Sequence, residues 1–456
     1  MRSIIIGGGV TGLSAAYEFL QAGVTPTLIE AQPCLGGVVQ TETVEGCVLE
    51  GGPDSFLSAK PAANDLIREL GLGDQLIGSN DHSRVTYLLR GGRLLPLPDG
   101  LLMMVPTRIL PVALSPLLSW STKIRMGLEY FRRPPAAPLP DRTVAEFIQS
   151  HYGRETVDYL AEPLLSGVYG GSVDQLSVQS VLTRFVEIEA KYGSLTRGVL
   201  EAKKRAPRPA GTAPLFQTLK GGLAQLTAAL ERTIRPSAEI ITGRAESIHR
   251  TPAGYEVRVN GETLAARHLV LATPAWQAGE LLRPVHAKLA GLLEGVAYSS
   301  SVTLALGYRR EQCGPIPPGF GFLIPALERR TLVACTFVGA KFPYRVPDTH
   351  HVLRCFLGGA GNEKVLDLSD AEILSAVRSE LKKLLGWDAD PAFVRIRRWR
   401  RAMAQYSVGH SARIREVRDI LQQLPGLQLA GNAYEGIGVP DCVRTGRAAA
   451  RSLSQS

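Results

Sequence analysis

The sequence predicts an α/β protein whose Rossmann-like nucleotide-binding domain is discontinuous, built from the beginning, middle and end of the chain. At the beginning, the apolar strand pattern of residues 3–6 runs into a glycine-rich turn and then a helical pattern. In the middle, residues 268–274 form another buried-strand pattern that ends at a proline. At the end, residues 427–453 repeat the order of strand, glycine-rich turn and helix. Only folding can bring these distant segments into one domain.

The first glycine-rich turn, GGGVTG at residues 7–12, has the spacing of dinucleotide-binding proteins. Gly7 permits the tight turn, Gly9 lets the backbone approach a pyrophosphate, and Gly12 lets the helix pack on the strand. The N-terminus of that helix offers free N–H groups to phosphates. Glu30, 18 residues beyond Gly12, ends the next strand, where its carboxylate accepts from ribose hydroxyls. We expect these four residues and Thr11 to bind FAD or NAD rather than NADP; a glycine-rich surface turn is the alternative.

Size and composition indicate a globular protein of two or three domains, because 456 residues exceed one ordinary core. A content of 45% hydrophobic and 20% charged residues excludes a disordered chain. The net charge of +9 permits contact with anionic lipid, nucleic acid or an acidic small molecule, although a plain basic surface has the same charge. Six scattered cysteines without C-x-x-C fit a reducing compartment and argue against structural zinc. With no targeting segment or membrane-spanning run, we expect a cytoplasmic location.

Two glycine doublets follow the first motif, at residues 36–37 and 51–52. Flavin proteins use such segments where the chain passes close to a large flat ligand, although single turns have the same sequence. The cofactor-binding residues expected beyond Glu30 are Gly36, Gly37, Gly51, Gly52, Pro53, Asp54, Ala245 and Thr273.

Elsewhere the pattern predicts helices and strands of ordinary length. The expected helices are 61–72, 143–149, 154–165, 223–230 and 370–385. The expected strands are 84–89 and 93–96 as a hairpin across Gly91-Gly92, 240–248 and 255–259 as a ribbon, and 301–308, 331–337 and 351–357.

Two segments have a composition that suggests contact with solvent or with a membrane. Residues 101–120 are unusually apolar but broken by prolines, which predicts an amphipathic surface lying on a membrane or lining an apolar tunnel, or else a buried helical subdomain. Residues 203–209, KKRAPRP, predict a solvated basic loop, or a contact with acidic headgroups.

The closing motif, LAGNAYEGIGVPDC at residues 429–442, supplies a second glycine-rich turn before a helix. Its Pro440 suits the first turn of that helix. The positive end of the helix dipole would stabilise the N1–C2=O edge of a reduced flavin. NAD dehydrogenases need no second anchor of this kind, so FAD is the preferred cofactor. The residues expected to contact it here are Gly431, Tyr434, Gly438 and Val439.

Together these motifs resemble the protoporphyrinogen oxidase family, specifically the bacterial oxygen-dependent type that also acts as coproporphyrinogen III oxidase, within the flavin amine oxidase superfamily. The resemblance covers nearly the whole chain and rests on segments 7–12 with Glu30, 52–56, 165–171, 319–325, 402–410 and the closing motif. The chain departs from the family at Ala404, where proline is usual. Segment 30–36 also lacks an arginine that often precedes the glycine doublet.

The resemblance implies three domains. They are a discontinuous Rossmann-like FAD-binding domain (1–75, 211–290 and 405–456), a mixed-sheet substrate domain (76–95 and 291–404) and a helical, membrane-associated lobe (96–210). Arg84 resembles an arginine that pairs with a substrate propionate. Phe320, Leu323 and Phe356 resemble apolar residues that hold the macrocycle. Arg84 could instead be a surface salt-bridge partner, and the three apolar residues could be ordinary core.

The implied activity is the six-electron oxidation of protoporphyrinogen IX to protoporphyrin IX in haem biosynthesis, with FAD as cofactor and oxygen as acceptor. Oxidation of coproporphyrinogen III to coproporphyrin III is the alternative. The implied partners are the porphyrinogen, molecular oxygen, a ferrochelatase that receives the product, and the inner face of the cell membrane as a peripheral contact, without nucleic acid.

Other functions on this scaffold stay open at this point. One is an amine oxidase or carotenoid desaturase, and another is a non-catalytic flavin-binding module for haem handover. No Ser-His-Asp set, H-E-x-x-H motif or metal-ligand cluster is visible, so the sequence assigns no catalytic side chain and no metal. Hydride transfer from a ring carbon to flavin N5 needs orientation and a dry pocket more than a strong base.

Overall fold

The computed structural model describes residues 2–205 and 214–455, and the fold is α/β, as predicted. In chain order, the strands are β1 (Arg2–Ile6), β2 (Pro26–Glu30), β3 (Thr41–Val44), β4 (Cys47–Glu50), β5 (Phe56–Leu57), β6 (Leu76–Gly78), β7 (Thr86–Arg90), β8 (Arg93–Pro96), β9 (Leu101–Leu102), β10 (Val105–Pro106), β11 (Phe216–Leu219), β12 (Glu239–Thr242), β13 (Ala245–Thr251), β14 (Gly254–Val259), β15 (Glu262–Leu271), β16 (Tyr298–Arg309), β17 (Gly321–Leu323), β18 (Leu332–Phe337), β19 (His350–Gly358), β20 (Phe393–Ala404) and β21 (Leu427–Leu429).

Several helices begin at residues that the capping rules favour. Thr143 and Ser369 each form a capping box with the glutamate three residues later, at the start of α5 and α15 respectively. The helices are α1 (Val10–Gln21), α2 (Pro61–Glu69), α3 (Ile109–Leu114), α4 (Trp120–Leu128), α5 (Val144–Tyr152), α6 (Arg154–Thr156), α7 (Glu162–Tyr169), α8 (Val178–Val181), α9 (Thr183–Tyr192), α10 (Leu195–Arg205), α11 (Ala224–Ile234), α12 (Ala275–Leu282), α13 (Ala287–Glu294), α14 (Val338–Lys341), α15 (Asp370–Leu385), α16 (His410–Leu421) and α17 (Val439–Ser454).

The chain forms two compact units. Unit 1 comprises Met1–Ser79, Ala213–Ala297 and Ala412–Ser456, and unit 2 comprises Asn80–Thr212 and Tyr298–Ser411. The three domains expected from the family resemblance, with the boundaries given above, stay a prediction.

Unit 1 is built on a sheet in which β12, β2, β1, β15 and β21 run parallel in that spatial order, with β14 and β13 continuing antiparallel from β15. Ile4 and Ile5 on β1 are fully buried because both faces of the sheet are covered. Helices α1 and α17 pack against each other, and α1 also packs against α11. The parallel strands all end at one edge of the sheet, where α/β proteins of this kind bind ligands.

Unit 2 contains a mixed sheet with the strand order β20-β16-β19-β18-β17-β7-β8. One face of this sheet packs against α15, through a core that includes Leu304, Leu353 and Val377. The helices from α3 to α10 surround a second apolar core, which includes Phe147, Leu160 and Leu195. Leu323 on β17 packs against this second core.

Several predicted elements differ from the structure. The 240–248 strand is divided into β12 and β13, and helix 223–230 extends to Ile234 as α11. Residues 101–120, for which the sequence predicts an amphipathic surface or a buried helical subdomain, form β9, β10, α3 and the first residue of α4. The prediction of a basic loop at 203–209 is wrong for the first three residues, because α10 ends with Lys203, Lys204 and Arg205. Residues 206–209 lie outside the described residues. The glycine hairpin of β7 and β8 and the helix at 370–385 are confirmed.

Candidate functional site

The three key glycines of the first turn have different surroundings. Gly7 has a φ of +108°, and a Cβ there would lie 2.7 Å from the carbonyl oxygen of Ala272. A Cβ on Gly12 would lie 1.8 Å from the carbonyl oxygen of Gly7, so the helix approaches the turn too closely for any side chain. A Cβ on Gly9 would meet no heavy atom of the described residues within 4 Å. Gly9 therefore borders open space at the N-terminus of α1.

Glu30 ends β2 at the same edge of the sheet. Its Oε2 accepts a hydrogen bond from the Gly8 backbone N–H at 2.6 Å, and its Oε1 accepts from the Gln32 backbone N–H at 2.7 Å. A carboxylate has about four acceptor positions, so each oxygen retains capacity for a ribose hydroxyl. The two backbone bonds fix the orientation of the carboxylate beside the first turn.

The two glycine doublets lie close to this turn. The Gly36 backbone N–H donates to the Gly8 carbonyl at 2.9 Å, and a Cβ on Gly37 would lie 3.2 Å from the Cα of Gly9. A Cβ on Gly52 would lie 1.8 Å from the Val38 carbonyl oxygen. Segments distant in the sequence thus meet at one place, as a shared ligand site requires. Gly51, Pro53 and Asp54 follow directly after β4, and Asp54 accepts a hydrogen bond from the Ser55 hydroxyl at 2.7 Å.

Ala245 and Thr273 also lie near this edge of the sheet. Ala245 is buried at the start of β13, two residues after Gly243, whose backbone N–H donates to the Glu30 carbonyl at 2.8 Å. Thr273 follows β15, and among the described residues its buried hydroxyl has no hydrogen-bond partner. Buried hydroxyl groups are normally paired, so a polar ligand atom would satisfy this one.

The second predicted anchor is the N-terminus of α17. Gly438 is the N-cap residue, and Val439 begins the helix with Pro440 in its first turn. Asp441 is buried there, and its Oδ2 accepts from the Gly438 backbone N–H at 3.2 Å and from Lys60 Nζ at 2.6 Å. Sequence reasoning missed Lys60, because a lone lysine before α2 carries no motif.

The remaining predicted residues of the closing motif lie nearby. Gly431 has a φ of +130°, and its backbone N–H donates to the Thr445 hydroxyl at 3.2 Å. Tyr434 is buried. Burial raises the pKa of the Cys442 thiol to about 11, so it is uncharged at neutral pH and is not a thiolate nucleophile.

Helices α1 and α17 hold the two anchors together. A Cβ on Gly446 would lie 2.2 Å from the carbonyl oxygen of Thr11, so the two backbones are in close contact. Glu18 on α1 accepts from Arg447 Nε at 2.5 Å and from Arg451. Burial alone would raise the pKa of Glu18, but these two arginines outweigh it and lower the pKa below its usual value.

These features of unit 1 fit FAD. Two helix N-termini are available for negative charge, one beside open space at Gly9 and the other at Gly438. Glu30 supplies acceptors for a ribose, and Thr273 supplies a buried hydroxyl. The role of each individual residue in cofactor binding stays a prediction.

The predicted substrate residues belong to unit 2. Leu323 of β17 lies opposite Ala334 of β18, which lies opposite Phe356 of β19, so Leu323 and Phe356 share a sheet face. Phe320 is buried just before β17. Arg84 is exposed and lies two residues before β7, outside the strand. The structure thus brings two of the four residues together on one surface.

Comparison with known proteins identifies the family. Residues 10–454 match the family described as flavin containing amine oxidoreductase. The chain belongs to this family. It is therefore an oxidoreductase, and its cofactor is FAD.

The relatives span almost the whole chain. The coproporphyrinogen III oxidase of Bacillus subtilis (strain 168) is 34% identical over 98% of this chain and 96% of its own length. The chloroplastic protoporphyrinogen oxidase 1 of Arabidopsis thaliana is 27% identical over 96% of this chain and 85% of its own length. A crystal structure from Exiguobacterium sp. 255-15, provisionally named a protoporphyrinogen oxidase, has a TM-score of 0.89 at 33% identity, with 100% of this chain and 98% of that chain covered.

Proposed function

We propose that this protein is an FAD-dependent porphyrinogen oxidase of haem biosynthesis, which removes six electrons from its substrate with oxygen as the final acceptor. The observation that carries the proposal is the end-to-end similarity, at 34% identity, to a coproporphyrinogen III oxidase. Such similarity includes the substrate-side sheet of unit 2 as well as the cofactor motifs. Other oxidases that share only the fold, such as putrescine oxidase with a TM-score of 0.72 at 17% identity, carry no such argument.

The residues of this chain have positional rather than acid–base roles in the proposed reaction. Bound FAD supplies a two-electron acceptor that oxygen reoxidises, so three rounds account for the six electrons. Leu323 and Phe356, which flank Ala334 on one face, offer an apolar surface for a large nonplanar ring. Phe320 is buried just before β17, and Arg84 would pair with a propionate. Orientation and the exclusion of water are the main contributions of these side chains.

Two porphyrinogens are candidates for the substrate. The Bacillus relative carries the name of a coproporphyrinogen III oxidase, and the Arabidopsis relative that of a protoporphyrinogen oxidase. Because the bacterial relative is the more similar of the two, we propose coproporphyrinogen III as the preferred substrate and protoporphyrinogen IX as the second candidate.

The test is the appearance of porphyrin fluorescence in air when FAD-loaded protein is given each porphyrinogen separately. We expect turnover of at least one substrate, with hydrogen peroxide as the reduced product of oxygen. Putrescine and other amines serve as control substrates, because the family includes amine oxidases. Turnover of an amine but of neither porphyrinogen would contradict the proposal. Transfer of the porphyrin to a ferrochelatase belongs to the same proposal and would appear as faster metal insertion when the two proteins are mixed.

We also propose that unit 2 makes a peripheral contact with a lipid surface. Among the helices of the described residues, none combines the length and apolar character needed to cross a membrane. A contiguous part of the chain nevertheless exposes large apolar side chains. They are Ile109 (87%), Leu110 (67%), Leu114 (73%), Trp120 (68%), Ile124 (61%), Leu128 (64%) and Phe131 (74%). We call these seven residues the apolar lobe surface.

The geometry of this surface suits a lipid interface. Trp120, Ile124 and Leu128 are four residues apart and form one stripe along α4. Lys123 Nζ lies 4.5 Å from the centre of the Trp120 ring and donates to the Ala113 carbonyl at 2.8 Å, which joins α4 to the end of α3. Arg133 is exposed just beyond the surface and would favour anionic headgroups.

Vesicle flotation tests this contact. We expect the protein to float with vesicles that contain anionic lipid, and the double variant Ile124→Ser/Leu128→Ser to float much less. Leu327→Ser is the matched control, because Leu327 is a similarly exposed leucine (67%) outside the apolar lobe surface. Equal flotation of all three proteins would contradict the proposal.

A further inference from the structure

Strand β17, which carries Leu323, has little means of fixing the position of that side chain by itself. The strand is three residues long and begins with Gly321. A Cβ on Gly321 would lie 1.9 Å from the Cys335 carbonyl oxygen, so no larger residue could pack there. Phe322 points to the opposite face, where it is buried in the core shared with α15. The face that carries Leu323 therefore depends on contacts from neighbouring elements.

Helix α7 is the neighbour that contacts Leu323. A Cβ on Gly167 of this helix would lie 3.5 Å from Leu323 Cδ2, which is an ordinary van der Waals distance. Leu323 also packs against the second apolar core of unit 2, to which Leu165 of α7 belongs. The distance between α7 and the end of β17 therefore determines where the Leu323 side chain lies.

An ion pair joins α7 to the chain that follows β17. Arg329 Nη2 donates to Glu162 Oε1 at 2.7 Å, and these two side chains are 9% and 13% exposed. Glu162 Oε2 accepts from the Ala326 backbone N–H at 2.9 Å. Arg329 Nη2 also donates to the carbonyl of Ile324, the residue after Leu323, at 2.9 Å. We call Glu162 and Arg329 the β17 clamp.

The residue before Arg329 holds the same connection to the hairpin of β7 and β8. Glu328 Oε1 accepts from the Gly91 backbone N–H at 2.8 Å, and its Oε2 accepts from the Gly92 backbone N–H at 3.3 Å. The connection between β17 and β18 is thus held by adjacent residues to the hairpin and to α7. Loss of the β17 clamp would release the α7 side and leave the hairpin side in place.

We propose that the β17 clamp positions Leu323 for contact with the porphyrinogen ring. This inference rests on the proposed function and on the predicted contact between Leu323 and the substrate. In this proposal the two clamp residues act through Leu323 and do not contact the ring. Each oxygen of Glu162 has its own donor, whereas glutamine has one acceptor oxygen. Glu162→Gln therefore keeps the shape of the side chain and leaves either Ala326 N–H or Arg329 without its acceptor.

The test measures the oxidation of both porphyrinogens by FAD-loaded, full-length variants. For Glu162→Gln and Arg329→Gln, we expect kcat/KM to fall about tenfold, because a displaced Leu323 loses part of its apolar contact with the ring. Such a contact forms in the ground state and the transition state alike, so KM should rise while kcat changes little. Arg329→Lys should retain part of the activity, because it keeps the charge. The affinity for FAD should be unchanged, since the predicted flavin anchors belong to unit 1.

A double-mutant cycle separates positioning from a general loss of structure. In a Leu323→Ala background, Glu162→Gln should lower kcat/KM further by less than about twofold, because the side chain through which it acts has already been removed. Arg142→Gln is the matched control, since Arg142 Nη2 donates to both oxygens of the buried Glu189 at 2.7 and 2.8 Å and so joins the start of α5 to α9. The control should lower the stability in urea unfolding and leave kcat/KM unchanged.

The binding of coproporphyrin III, followed by porphyrin fluorescence, is a second readout of the same cycle. Fully additive losses from Leu323→Ala and Glu162→Gln, or an equal fall of kcat/KM in Arg142→Gln, would overturn the proposal. If wild-type protein oxidised neither porphyrinogen, the proposed function would fail, and the binding cycle would still decide whether the β17 clamp acts through Leu323. If wild-type protein did not bind the porphyrin either, both proposals would fail.

Discussion

Replacement of Gly9 by alanine separates the ligand role of this glycine from a structural role. Gly9 has φ −71° and ψ −179°, an extended conformation that alanine adopts without strain, and an added Cβ would meet no heavy atom of the described residues within 4 Å. The variant protein without cofactor should therefore be as stable as wild type. The new methyl group would occupy the open space at the N-terminus of α1, where we expect the pyrophosphate of FAD.

The loss of FAD affinity can be estimated from this geometry. A phosphate oxygen that accepts from a backbone N–H lies about 2.9 Å from the nitrogen, so a methyl group at the closest point of approach displaces it. One or two charge-assisted hydrogen bonds would be lost, at roughly 2–4 kcal/mol in total, which corresponds to about a 30- to 1,000-fold weaker FAD complex.

The assay measures thermal unfolding of the cofactor-free protein and titrates FAD by flavin fluorescence. Gly291→Ala in α13 is the matched control, since its added methyl group would meet no heavy atom of the described residues within 4 Å beyond the backbone of its own helix. Gly12→Ala should behave differently, because its Cβ would overlap the Gly7 carbonyl and lower the stability of the cofactor-free protein itself. If Gly9→Ala bound FAD as tightly as Gly291→Ala, the pyrophosphate would not lie where we expect it.

Two further predictions concern buried carboxylates. His151 contacts the carboxylates of Glu129 at 2.8 Å and Glu189 at 3.0 Å. Burial alone would raise the pKa of both glutamates, but hydrogen bonds outweigh it and lower the pKa, and the largest of these contributions is from His151. At pH values above their usual pKa, these carboxylates stabilise the fold, and this stabilisation is lost as the pH falls through the lowered pKa. His151→Phe should therefore lower the free energy of unfolding, measured in urea, by about 3–5 kcal/mol at pH 7 and by less at pH 4. An equal loss at both pH values would contradict this prediction. Lys60→Gln should lower the reduction potential of bound FAD by about 10–20 mV, because it leaves the negative charge of Asp441 uncompensated at the N-terminus of α17. Spectroelectrochemical titration measures this shift. An unchanged potential would mean that the flavin does not lie near that end of the helix.

The strands, turns and helices around the two glycine-rich motifs could be predicted from the sequence because their sequence signals are local. The turn at Gly7–Gly12 combines a strand, a helix and an acid at fixed spacing, and each of these appears in the structure. The closing turn has the same kind of signal, since Gly438 and Pro440 mark the start of a helix in any context. Physical constraints within some thirty residues, such as a positive φ or a helix cap, need no knowledge of the rest of the fold.

The substrate side could not be derived in this way. Leu323 and Phe356 came only from family resemblance, and their shared face depends on the register of three strands separated in the chain. On β20, the alternation in residues 395–401 could have indicated that the arginines divide between the two faces of the sheet. Lys203 to Arg205 show the opposite case, in which a basic composition suggested a loop although the residues continue a helix. Pairing register is a property of the whole sheet, so a local pattern does not contain it.

The close contact between α1 and α17 leads to a final prediction, because the last part of the chain completes a site begun by the first. Gly446 looks like an ordinary helix-interior glycine, yet its Cβ would lie 2.2 Å from the Thr11 carbonyl oxygen. Gly446→Ala should therefore force the two helices apart and cost about 1–3 kcal/mol, despite the better helix propensity of alanine. Since the two predicted flavin anchors lie on these helices, FAD affinity should fall together with stability, unlike in Gly9→Ala. Chemical unfolding and FAD titration of the same preparation measure both quantities. A Gly446→Ala protein that was more stable than wild type, as propensity alone predicts, would show that this helix contact does not constrain the site.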